Sequence, residues 1–161
     1  MNSINPYETL FVLCAILFQT ILIIHFSLRK WRFNLAIRYG PIVYALGIPA
    51  AVISILMLMG GMTWSYWMGG FIYLAWGIYG YWVEYVRKIQ WRNPIHWSIF
   101  GPYITLYLAT VMFYWWPLAL IYKPLWYIYA FLYIISTYLN VSSHKNPLNA
   151  VLLEENTSHG T

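Results

Sequence analysis

Five long apolar runs limit what this chain can fold into. They lie at about 9–28, 42–62, 66–86, 98–121 and 125–141. Each approaches the ~20 helical residues that cover the hydrocarbon core of a bilayer, at about 1.5 Å per residue. The runs predict an all-α protein, a polytopic transmembrane helical bundle of five spans, or four if the short last run does not cross. In this reading residues 1–141 form a single helical domain and 142–161 a polar cytoplasmic tail. Residues 1–11 carry no basic stretch, and no small-residue cleavage site follows the first run, so that run is expected to stay in place as a span.

Charge argues the same way. Only 8% of the 161 residues are charged, against about 25% in soluble domains. A net charge of +5 would suit a nucleic-acid binder, but the cations stand in short clusters beside apolar runs rather than on one face of a folded domain. The expected partner is therefore a lipid bilayer and not nucleic acid.

Lys and Arg concentrate in cytoplasmic connections. Arg29, Lys30, Arg32 and Arg38 follow the first run, Arg87, Lys88 and Arg92 follow the third, and Lys145 is in the tail. Lys123 alone falls on the other side. The distribution predicts an integral, multi-pass protein of the cell or cytoplasmic membrane, with the N-terminus outside and the C-terminus in the cytoplasm. Tryptophans agree: Trp64, Trp67, Trp115, Trp116 and Trp126 mark the outer boundary, and Trp31, Trp82, Trp91 and Trp97 the inner one.

The third run carries the most information. On a helix it places Gly70, Tyr73, Gly77, Gly80, Glu84 and Arg87 on one stripe. In the second run Gly40, Gly47, Ser54 and Gly61 recur every seven residues. Small residues let helices approach closely in lipid, where van der Waals contact drives association. The two seams are expected to pack on each other, with a local kink at Pro49.

Glu84 is the only acid near a span's interior, the others being Glu8, Glu154 and Glu155. A carboxylate at the edge of hydrocarbon must be paired, protonated or wet. It reads either as a proton or cation site, or as a structural ion pair with Arg87 or Lys88. His25, His96 and His144 map to the same boundary, yet no two share metal-ligand spacing on one helix. No metal centre or other cofactor is expected.

Tyr73, Trp76, Tyr79, Tyr107, Tyr129 and Tyr133 lie deeper than interfacial belts require. They either line a cavity for a flat or cationic ligand, or pack with their hydroxyls bonded to neighbouring backbone. The candidate ligand or proton site is Glu84, Arg87, Tyr73, Trp76 and His25.

Phosphate-cradling loops, nucleophile elbows, paired acids and cysteine clusters are missing from the sequence, and Cys14 is the single cysteine. No catalytic residue is assigned and no enzymatic activity is expected. In length, five apolar runs and aromatic content the chain resembles the tryptophan-rich sensory or translocator proteins. That family's tryptophan–proline pattern and its Asn-Trp motif do not stand here. Gly40-Pro41-Ile42-Val43-Tyr44 is a faint echo, and no family site is transferred.

The functional expectation is a small membrane protein acting through helix–helix contacts, as an accessory subunit of a membrane complex or as a homo-oligomer. The alternative is a binding or transport protein for a lipophilic or cationic small molecule, using Glu84 and the intramembrane aromatics.

Overall fold

A computed structural model describes residues 5–89 and 95–143. Trp91, Arg92, Asn93 and Pro94 of the second basic connection lie outside the described residues, as does the tail from His144 onward with Lys145, Glu154 and Glu155. The elements among the described residues are all helical: α1 (Pro6–Trp31), α2 (Phe33–Ala45), α3 (Gly47–Met59), α4 (Trp64–Tyr81) with a single π turn (Trp82–Val86), α5 (Trp97–Ile121) and α6 (Lys123–Ser143).

Local chemistry explains the helix ends. At the start of α1 the Asn5 side chain accepts from the Tyr7 amide at 3.1 Å, and Glu8 accepts from the Asn5 amide at 3.2 Å. With Pro6 in the first turn this is a complete capping box, and it accounts for Glu8. At the end of α3, Gly61 adopts φ +73°. The Met62 amide returns to the Met57 carbonyl at 3.0 Å and the Gly61 amide to Leu58 at 3.1 Å, the paired closure that a left-handed glycine permits.

The basic connection after α1 is itself nearly all helical. Arg32 is the one non-helical residue between α1 and α2, and Phe33–Met59 is a continuous apolar stretch broken only at Leu46. Pro49 cannot donate to the carbonyl of Ala45, and the break falls directly after that residue.

The helices close into a ring. α1 packs against α2 and α6, α6 against α5, α5 against α4, and α4 against α3 and α2. α4 thus has protein on both flanks. Four helical stretches are long and apolar enough to cross a membrane: α1, α2 with α3, α5 and α6. α4 is not among them, because its many Gly, Tyr and Trp residues contribute little hydropathy.

Close approach centres on α4. A Cβ on Gly47 would sit 2.9 Å from the Leu74 Cα, one on Gly77 would sit 2.5 Å from the Tyr44 carbonyl oxygen, and one on Gly70 would collide with the Ser54 hydroxyl and the Ala50 carbonyl. Gly80 leaves room for the Tyr44 and Tyr103 rings. Two members of the seven-residue row lie elsewhere. Gly40 is covered by Tyr85, whereas a Cβ on Gly61 would meet nothing within 4 Å, and Gly61 serves the turn instead. A seven-residue spacing drifts by about 20° per repeat on a straight helix, and the break at Leu46 adds to the drift.

Bulk at the seam should therefore be costly. Gly77→Leu is expected to destabilise the bundle by about 1–3 kcal/mol, and Gly101→Ala, within α5 where a Cβ meets nothing within 4 Å, to leave it as stable or raise it by up to about 1 kcal/mol. Thermal melts in mild detergent would check the difference, and equal melting points would refute the assignment of the seam.

Candidate functional site

Glu84 lies within the π turn. The Arg87 amide bonds the Trp82 carbonyl at 2.8 Å, five residues back, and Lys88 then turns the chain out of the helix with φ 50°. Such turns are rare and occur frequently at functional sites. The widened turn also changes the register on which an ion pair with Arg87 was expected. The Arg87 guanidinium lies over the Trp82 ring, 5.1 Å from its centroid, a cation–π contact.

The half-buried Glu84 carboxylate accepts a hydrogen bond from the Tyr44 hydroxyl at 2.7 Å. Tyr44 is also 3.1 Å from the Tyr103 hydroxyl. A phenol has one proton. Tyr44 gives its proton to Glu84, so Tyr103 is the donor in the second contact. The result is a directed chain, Tyr103 to Tyr44 to Glu84, joining α5, α2 and the end of α4.

Behind this chain stands Trp76. Its ring packs against Tyr44 at 5.3 Å, Tyr103 at 5.7 Å, Tyr107 at 5.6 Å and Tyr73 at 5.8 Å between centroids. Tyr73, a sequence candidate, is a brace: its hydroxyl donates to the Val43 carbonyl at 2.6 Å, beside the α2–α3 break. His25 borders the group. It lines a shallow groove of about 260 Å³ with Ile21, Leu28, Tyr39 and Val43. Its Cε1 stands near Gly40, which Tyr85 covers, and the Tyr85 ring meets Tyr44 at 6.1 Å.

Glu84, Trp76, Tyr73 and, at the margin, His25 are thus neighbours, whereas Arg87 turns to Trp82. His96 is exposed at the start of α5, and His144 lies outside the described residues. Among the described residues no three His, Cys, Asp or Glu side chains are placed to hold a metal ion.

Several phenols close backbone carbonyls. Tyr85 donates to Ile37 at 3.3 Å, Tyr79 to Ile99 at 3.3 Å and Tyr129 to Val111 at 3.4 Å. The first has a direct cause. Pro41 has no N–H to offer the carbonyl four residues back, and that carbonyl is Ile37.

Sequence reasoning missed Tyr44 and Tyr103. One signal was present for Tyr44: Gly77 and Gly80 leave a hollow on α4 of the size of a ring. Tyr103 carried none.

Removing the Tyr85 hydroxyl leaves Ile37 without this donor and should cost about 1 kcal/mol. In a Pro41→Ala background the restored amide can serve Ile37, and Tyr85→Phe should then cost much less. A double-mutant cycle on thermal stability measures this coupling; strictly additive effects would refute it.

No protein family, curated protein or solved structure matches this chain, so its likeness to the tryptophan-rich sensory proteins rests on composition alone.

Proposed function

We propose that the chain is a five-span integral membrane protein, with its N-terminus outside and C-terminus in the cytoplasm, that binds or transports a small cationic or lipophilic molecule at Glu84. The observation that carries this reading is the carboxylate itself. It stands in a π turn and accepts from Tyr44, whose hydroxyl meets that of Tyr103 and whose ring packs on Trp76. A carboxylate beside aromatic faces attracts cations through charge and ring quadrupole together.

The fifth span in this reading is α4 with its π turn. Residues Trp64–Val86 extend roughly 34 Å at about 1.5 Å per residue, enough for a hydrocarbon core of about 30 Å. Its modest hydropathy suits a helix flanked by protein rather than lipid.

The glycine seams bear on the rival role. Gly47, Gly70, Gly77 and Gly80 are all occupied within the chain, so they are not left to recruit another protein. The second reading, an accessory subunit or homo-oligomer acting through helix contacts, draws instead on α6. Its exposed Tyr127, Phe131, Ile134, Tyr138 and Val141 repeat at four- and three-residue steps along one face, a spacing suited to a partner helix. No enzymatic role, cofactor or nucleic-acid partner is proposed.

Glu84→Gln tests the first reading. With tetraphenylphosphonium as a lipophilic cationic probe, binding to the detergent-purified protein should weaken roughly tenfold, about 1.4 kcal/mol, while the melting point holds. Unchanged binding would refute the site, and a collapse in stability would make the carboxylate structural.

Orientation is tested separately. Reporter fusions should place the Arg29–Arg38 segment in the cytoplasm, and an extracytoplasmic signal there would invert the topology.

A further inference from the structure

The groove beside His25 lies between α1 and the α2–α3 pair, and its walls follow from a tight reversal. One residue, Arg32, joins α1 to α2. Its amide donates to the Leu28 carbonyl at 2.6 Å, and its carbonyl accepts from the amides of Leu35 at 2.9 Å and Ala36 at 3.1 Å. Arg32 thus ends one helix and starts the next, and the two run back along each other, with His25 beside Gly40. Apolar side chains wall the groove: Ile21, Ile24 and Leu28 from α1, and Tyr39, Ile42 and Leu46 from the other side. Ile24 and Ile42 are 54% and 53% exposed, so the groove opens outward and not into the core.

Its end nearest the reversal is cationic. Four-residue spacing continues one wall from Leu28 to Arg32 and the other from Ile42 to Arg38. Both arginines are exposed, and the Arg38 guanidinium lies over the Tyr39 ring, 5.8 Å from its centroid. Arg29 and Lys30 stand in the last turn of α1, just ahead of Arg32. Residues 9–83 contain no acid, so neither wall supplies a countercharge.

A groove that is apolar along its length and cationic at one end fits an amphiphile with a negative head. Guanidinium groups match phosphate through paired hydrogen bonds, and basic pockets between membrane helices take anionic headgroups. At about 260 Å³ the groove is smaller than the roughly 300–1,000 Å³ of sites that enclose a small ligand. It suits an acyl chain lying along it with bulk lipid on the open side. A second copy of the protein fits poorly. A two-fold pair in one bilayer would set these arginines against their own copies, and like charges repel.

We propose that the groove between α1 and the α2–α3 pair holds one chain of an anionic phospholipid, with its phosphate bound by Arg32 and Arg38. The proposal rests on the reading that the chain crosses a membrane, and not on Glu84 being a ligand site.

Native mass spectrometry of the full-length protein with defined lipids tests it. Dioleoyl phosphatidylglycerol should bind roughly tenfold more tightly than dioleoyl phosphatidylcholine, which has the same chains and no net charge. Glycerol phosphate, the same head chemistry without chains, should not bind. Arg32→Gln and Arg38→Gln should each weaken the anionic lipid about fivefold, the share of one cation near a membrane surface. Lys123→Gln, at the start of α6, should change nothing. Ile42→Trp keeps every charge but fills the groove, and it too should lower occupancy while the melting point holds. Binding should persist in Glu84→Gln, and the reporter fusions check the membrane reading by themselves, so each reading fails separately. Equal affinity for the two lipids, tight binding of glycerol phosphate, or an equal loss in Lys123→Gln would each overturn the proposal. So would normal binding in Ile42→Trp, lost binding in Glu84→Gln, or a dimer that Ile42→Trp dissolves.

Discussion

Hydrogen bonds from tyrosine hydroxyls to main-chain carbonyls are the contacts on which the rest of this bundle depends. Proline and helix breaks expose carbonyl oxygens, and in a low-dielectric interior an unpaired one costs several kcal/mol. Here Tyr85 reaches the carbonyl opposite Pro41, and Tyr73 reaches Val43 beside the interruption at Leu46. Each bond pins a distant helix to an irregular turn. Tyr73, Tyr79, Tyr85 and Tyr129 are explained by this use before any ligand is invoked. Tyr44 and Tyr103 do not follow it: their hydroxyls meet each other, and Tyr44 turns to a carboxylate instead.

Glycine makes that arrangement sterically feasible. Without a side chain at Gly77 and Gly80, the backbone and ring of Tyr44 come within van der Waals contact of α4, and only from there does the phenol reach Glu84. The same absence of bulk at Gly47 and Gly70 brings α3 against α4. Packing and polar chemistry are thus one design: the seam that holds the central helix also sets the distance between a phenol on α2 and a carboxylate at the end of α4.

Much of this was legible in the sequence, and the remainder was hidden for physical reasons. Apolar length marked the helices, but the second run was placed from residue 42, whereas helix begins at Phe33. Arg38 and Asn34 interrupt apolarity without interrupting helical hydrogen bonding. Glu84 stood out because charge is rare among apolar residues. Its surroundings did not, since a π turn has no local sequence code and Tyr44 and Tyr103 come from other helices, 40 and 19 positions distant in the chain. Gly40 and Gly61 looked like members of a regular row, yet the row ignores the break at Leu46.

The closure of the ring has a consequence for how the protein is made. Gln19 on α1 meets Ser136 on α6, 117 positions later, and near the end of α1 the Lys30 ammonium lies 5.3 Å from the Tyr138 ring. During synthesis the first helix emerges well before its partner exists. Its carboxamide must wait, shielded or wetted, until α6 arrives. The contact therefore cannot form before α6 has been made, and a polypeptide truncated ahead of α6 would carry an uncovered polar group along α1.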